Sequence, residues 1–106
     1  MKRIYIASPY TIGDRQENVN RQIRCASILI DFGFAPYWPL SSHYLEQFKA
    51  RAYDKWLELD FEWLRQCDAV LRLEGESSGA DKEVALAGEI GTPVYYSIFT
   101  LIDGCC

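Results

Sequence analysis

Only one histidine and one methionine occur among the 106 residues, and the four cysteines (Cys25, Cys67, Cys105 and Cys106) contain no C-x-x-C pair. That inventory supplies no metal set, so neither a metal nor another cofactor is expected. Basic clusters are missing as well. Eleven Lys+Arg against fifteen Asp+Glu leave a net charge of −4 and a pI of about 4.9, which argues against a nucleic-acid polymer as partner. Small nucleotides stay open, because helix N-termini hold phosphate without a basic surface. No apolar run approaches the roughly 20 residues of a bilayer span. Met1-Lys2-Arg3-Ile4 leads at once into a strand pattern without a signal sequence, so the expectation is a cytoplasmic chain with no membrane partner. Repeats, linkers and low-complexity tracts are absent.

What is present is an ordinary globular composition, 49% hydrophobic and 25% charged. That size and balance fit a single domain over residues 1–106 with one modest core. Three Trp, seven Tyr and five Phe are expected to supply much of the core, or the contact of a homodimer or higher homo-oligomer. Cys25 and Cys67 read as buried free thiols.

Strand and helix signals alternate along the chain. Arg3–Ala7 is a short apolar run halted by Ser8-Pro9, a strand and a turn. Asp14-x-x-Glu17 has the form of a capping box, and Val19, Ile23, Ala26 and Ile30 follow at helical spacing until Gly33. Phe34–Trp38 is a second strand, placed at an edge by Pro36. Leu45 to Gln66 is helical in pattern, in one or two pieces. Ala69–Leu73 reads as a strand buried on both faces, Ala80–Glu89 as a helix ending near Gly91, and Thr92–Ser97 as a fourth strand. The tail from Ile98 is too short to assign. This alternation predicts a small doubly wound, flavodoxin-like α/β fold: a parallel sheet of four to five strands, order 2-1-3-4, with helices on both faces. Ligands of such sheets bind where the strand order reverses. Here that is the crevice between Ala7-Ser8-Pro9-Tyr10 and the loop Glu74–Gly79.

Two acids occupy positions that favour apolar residues. Asp60 falls within the stripe Tyr53, Trp56/Leu57, Trp63/Leu64, Cys67, whereas Glu58, Glu62 and Arg65 lie on the opposite face. A carboxylate so placed needs a hydrogen-bonding partner or a raised pKa. It either caps a neighbouring loop or serves a site. Glu83 lies one turn into its helix on the side of Leu86, Ala87 and Ile90; there it either answers the helix dipole or faces the crevice. Ser77-Ser78-Gly79 leads into that helix with N–H groups and hydroxyls suited to an anion or a ribose hydroxyl. Two inward carboxylates at one crevice suit chemistry at an acetal-like carbon such as an N-glycosidic centre, one attacking while the other assists the leaving base. Tyr5 is either a core aromatic or a hydrogen-bond donor to one of them. His43 in Ser41-Ser42-His43-Tyr44 either faces solvent or reaches the crevice.

Three stretches resemble the nucleoside 2-deoxyribosyltransferase superfamily, including its 2′-deoxynucleoside 5′-phosphate N-hydrolase branch. They are Ile4-Tyr5-Ile6-Ala7-Ser8-Pro9-Tyr10, then Asp60-x-x-Trp63-Leu64-x-x-x-Asp68-x-Val70, then Ser77-x-Gly79-x-x-x-Glu83-x-x-x-Ala87. The resemblance implies that Glu83 is the nucleophile at C1′, that Asp60 assists base departure and contacts the sugar, and that Tyr5 orients the nucleophile. It further implies that Ser77 and Gly79 hold the 5′ end of the sugar or its phosphate. The sequence departs from the hydrolase branch at Asp81, where a glycine is common, and at Pro9–Arg15, where that branch is Gly- and Arg-rich; Arg15 is the candidate replacement cation. The family also carries a fifth strand.

The expected activity is cleavage or transfer at the N-glycosidic bond of a nucleoside or nucleoside 5′-monophosphate. Two alternatives stand beside it: hydrolysis of an NAD-type dinucleotide, and a non-catalytic nucleotide sensor that kept the fold.

Overall fold

A computed structural model describes residues 1–105; Cys106 lies outside them. Strands β1 (Arg3–Ala7), β2 (Ala35–Tyr37), β3 (Ala69–Arg72) and β4 (Val94–Tyr95) form one sheet in the order β2-β1-β3-β4. All three pairings are parallel, with Tyr5 opposite Tyr37 on one side and Val70 on the other. The expected doubly wound α/β fold and strand order are present, with four strands. β2 is an edge strand, where the missing N–H of Pro36 is tolerated.

The alternation of side chains along β1 and β3 divides the core in two. Ile4, Ile6, Ala69 and Leu71 face helices α1 (Arg15–Asp31) and α5 (Ile98–Cys105), meeting Cys25, Ala26, Leu29 and Leu101. Tyr5, Ala7 and Val70 point the other way, onto Leu64 of α3 (Tyr53–Leu64) and Ala80, Leu86 and Ala87 of α4 (Ser78–Ile90). Leu29, Leu64, Leu71 and Leu101 are fully buried, each worth about 1.5–3 kcal/mol of transfer free energy. The core is thus aliphatic. Of the aromatic residues only Tyr5 and Phe34 are buried, while Trp63, Tyr96 and Phe99 are more than half exposed. Tyr37, Trp38, Phe61 and Tyr95 pack against the core partly buried, so of the two places expected for the aromatics, core or oligomer contact, the core takes them mainly at its margin.

Several local readings need adjustment. Asp14 caps α1 by accepting the Glu17 N–H at 2.9 Å, but the Glu17 carboxylate turns to Arg24, so only half of the capping box forms. The buried face of α1 is Val19, Gln22, Cys25, Ala26 and Leu29; Ile23 and Ile30 are exposed. The helical stretch before β3 begins earlier and divides: α2 spans Ser42–Phe48, and extended backbone at Lys49 separates it from α3. The unassigned tail forms α5, and among the described residues the fifth strand that the family carries is absent. Cys25 is buried and free, whereas Cys67 is only half-buried. Among the described residues, no helix is long and apolar enough to cross a membrane.

Candidate functional site

The order of the strands reverses between β1 and β3, and a cleft of about 330 Å3 opens at their carboxyl ends. The β1–α1 loop supplies one wall, the loop Glu76–Gly79 with the start of α4 another, and α2 with α3 the third. The stripe of α3 that looked like a core face is split by this geometry. Leu64 is buried under the sheet, while Tyr53, Trp56, Leu57 and Asp60 line the cleft. An acid within an apolar stripe was therefore the signature of a cavity wall.

Glu83 is buried in the floor, and its Oε2 accepts a hydrogen bond from the Tyr5 hydroxyl. Period-2 alternation makes this bond possible, since Tyr5 is the β1 residue turned toward α4. Burial pushes the Glu83 carboxyl up to about 8, and the nearby Asp60 charge adds to the rise. The Tyr5 hydrogen bond and the positive charge of Arg72 oppose it. Burial alone raises Asp60 to about 7. Of the two outcomes expected for Asp60, the raised pKa is realised. Both carboxyls are thus raised toward neutrality, and the charge of Asp60 disfavours ionisation of Glu83. Tyr5 is itself raised well above 10 by burial and then by Glu83, so it stays a neutral donor.

The other expected site residues separate into two groups. Ser8, Tyr10, Arg15, His43, Ser77, Ser78 and Gly79 all line the cleft. Ser77 Oγ caps α4 by accepting the Ala80 N–H at 3.1 Å, which leaves its O–H as a donor. His43 belongs to α2 rather than to a loop, and its Nδ1 is 2.6 Å from the Tyr10 hydroxyl. Arg15 stacks over the Tyr10 ring, 5.4 Å from its centroid. Ala7 and Pro9 do not reach the cleft. Ala7 is packed in the sheet core beside Val70, and Pro9 lies against Gly75 at a φ of +128°, where any Cβ would collide with the proline ring.

Sequence reasoning passed over several residues that shape this site. Gln22 of α1 is fully buried; its Nε2 donates to Ile6 O and to Ser8 Oγ at 2.8 Å, and its Oε1 accepts the Leu40 N–H. It thereby fixes the end of β1 from behind. Arg72 is buried at the end of β3 and donates to the carbonyls of Leu73 and Gly75. Arg72 stands out as a charge in an otherwise apolar run, the signal that singled out Asp60; Gln22 carries no such mark, because Ile23 fits the spacing of α1 as well. Glu46 accepts from the Trp56 indole and the Arg51 backbone N–H, tying α2 to α3 at the cleft's rim. Among the described residues, no three His, Cys, Asp or Glu side chains gather as a metal would require.

Residues 2–97 match the model of the family described as Domain of unknown function (DUF7768), and the chain belongs to that family. No curated protein matches the chain. Among solved structures it is similar to a 2-deoxyribosyltransferase from the psychrotolerant bacterium Bacillus psychrosaccharolyticus. The match has 20% identity and a TM-score of 0.68, and covers 87% of this chain and 69% of the other. That likeness establishes a shared fold.

Proposed function

We propose that this DUF7768 chain breaks the N-glycosidic bond of a nucleoside or nucleoside 5′-monophosphate, with Glu83 as nucleophile and Asp60 as acid. The observation that carries the reading is the pairing of two burial-raised carboxyls on one cleft, with Glu83 held by the Tyr5 hydroxyl. The fold shared with a 2-deoxyribosyltransferase supports it.

In the first step a Glu83 carboxylate oxygen bonds to C1′ as the C1′–N bond breaks. The bonding pair leaves with the base, and Asp60 delivers the proton that makes the base a better leaving group. Positive charge developing at C1′ favours ionised Glu83, while Asp60, raised by burial, keeps its proton for the base. In the second step water or another base attacks C1′ and gives its proton to Asp60, and Glu83 departs as carboxylate. Tyr5 keeps the attacking oxygen in place by its hydrogen bond. Ser77, Ser78 and Gly79 receive the 5′ end of the sugar, while Tyr10, Arg15 and His43 close the cleft from the β1–α1 side. Self-association belongs to the same proposal, given the exposed Phe48, Tyr96 and Phe99; light scattering giving the mass of one chain would remove it.

A panel of nucleosides, 5′-monophosphates and NAD, assayed for released base, tests the reading. Release by wild type that is abolished in both Glu83→Ala and Asp60→Asn supports it. Release that survives Glu83→Ala rejects the nucleophile. Nicotinamide release from NAD alone would move the substrate to the dinucleotide. Absence of any release, with a nucleotide-dependent rise in Tm, would make the chain a sensor.

A further inference from the structure

Arg72 is a charged side chain in a strand whose four residues are all buried. The alternation that points Tyr5, Ala7 and Val70 toward α4 also points Arg72 there, since Arg72 is two residues beyond Val70 and pairs with Ala7. Its Nη1 donates to Leu73 O and its Nη2 to Gly75 O at 2.8 Å, so one guanidinium grips the loop that becomes the cleft wall. Nη2 also meets Asp81 Oδ1 at 3.3 Å, in the first turn of α4 and two residues before Glu83. The Arg72 side chain is 10% exposed and that of Asp81 74% exposed. The cation is therefore poorly screened by water, while its counter-ion is well screened.

We infer that Arg72 is a positioning residue for the proposed reaction: its buried guanidinium fixes the β3–α4 loop and stations a permanent positive charge on the Glu83 side of the sheet, with Asp81 as its tether. The inference rests on the proposed role of Glu83, and two of its consequences can be separated from turnover. A fixed cation favours the carboxylate form of Glu83, and it counters the desolvation that would keep the nucleophile protonated. The planar fork also holds two carbonyls at once, which a lysine ammonium does not reproduce.

Other titratable or charged groups face Glu83 from the surrounding elements. β1 presents Tyr5, β2 Tyr37 and α3 Asp60. Across the cleft stand His43, Glu46 and Arg51 from the α2 side, Glu76 from the loop, and Tyr10 and Arg15 from the β1–α1 side. Within α4, the Lys82 ammonium lies over the Tyr53 ring. Arg72 is thus the cation that acts on Glu83 from beneath the cleft, and the substitutions below leave all the others in place.

The test is carbon-13 NMR titration of the Glu83 carboxyl, assigned by its loss in Glu83→Gln, in wild type, Arg72→Met, Arg72→Lys and Asp81→Asn. Base-release pH profiles are recorded alongside. Arg72→Met should move the Glu83 midpoint up by about one pH unit or more, and the acid limb of kcat/KM should follow. Asp81→Asn, which frees the cation from its counter-ion, should move both down by a smaller amount. Arg72→Lys should keep the midpoint near that of wild type while KM rises, because charge is retained and the loop loses its fork. A merely structural Arg72 would lower Tm and leave the midpoints together, and that result overturns the inference. Should Arg72→Met fail to fold, Arg72→Gln decides: an upward shift supports the inference and an unmoved midpoint ends it. Ordered midpoints without base release from wild type would refute the glycosidic reading and leave Arg72's charge role standing.

Discussion

Replacing Glu83 by Gln should make the fold more stable, and only at high pH. The native carboxyl is raised from 4.5 to about 8, chiefly by burial. Between those values the folded chain binds a proton that the unfolded chain has released. Stability must therefore fall as pH rises through that window, being fully present below about 4.5 and lost above about 8. At about 1.4 kcal/mol per pH unit, the ceiling on this loss is about 5 kcal/mol. Gln has nearly the shape of Glu, carries no charge, and keeps an oxygen to accept from Tyr5. At pH 5 the two proteins should agree within about 1 kcal/mol, since both side chains are neutral there. By pH 9 Glu83→Gln should lead by about 2–5 kcal/mol, and its Tm should be higher by roughly 10 °C or more. Urea unfolding followed by tryptophan fluorescence and circular dichroism at pH 5, 7 and 9 reads the difference. A gain of equal size at every pH, or a variant less stable than wild type at pH 9, would refute the claim that burial of this carboxyl opposes folding. Confirmed, it marks Glu83 as a group retained at the expense of stability, the signature of a functional acid.

Three further outcomes follow from the same geometry. Tyr5→Phe removes the hydrogen bond that favours ionised Glu83; base release should fall about ten- to a hundredfold, with the acid limb of its pH profile moving upward. Gln22→Leu leaves Ile6 O, Ser8 Oγ and the Leu40 N–H without their buried partner and should cost about 1–3 kcal/mol in urea unfolding; an unchanged midpoint would show that these groups find other partners. Gly75→Ala forces a side chain into a positive φ and against Pro9, so it should cost about 1–3 kcal/mol. A mutant as stable as wild type would remove the tight contact between the two cleft loops.

Much of the fold was legible because each element declares itself locally. Ser8-Pro9 stops β1, Asp14 caps α1, and Gly91 closes α4 in a left-handed conformation. Near-continuous apolar runs then leave only a parallel sheet covered on both faces. The failures share one cause. Periodicity reports that a face is covered without saying by what, so the Tyr53-Trp56-Leu57-Asp60 stripe read as core although much of it faces a cavity. The same ambiguity displaced part of the α1 face: Val19 and Ala26 are buried as expected, but Ile23 and Ile30 fit the helical spacing as well as Gln22 and Leu29 do. Gln22 won because its amide satisfies Ile6 O and Ser8 Oγ at the end of β1 and the Leu40 N–H beyond β2, a gain that no count of apolar residues registers.

The candidate site was legible where a residue violated its surroundings and illegible where it conformed to them. Asp60 and Glu83 are acids in apolar patterns, and both line the cleft. Arg72 breaks its strand in the same manner, yet a cation beside a loop looks like a surface residue until its bonds to Gly75 and Asp81 are seen. Ala7 and Pro9 conform: they adjoin the crevice in sequence, but the strand's alternation buries one and the Gly75 contact occupies the other. A charge inside a buried run has to be matched by something, whereas an apolar residue beside a crevice has two equally cheap fates. The informative positions in this sequence are thus those whose burial costs free energy, because only the tertiary structure can say what offsets that cost.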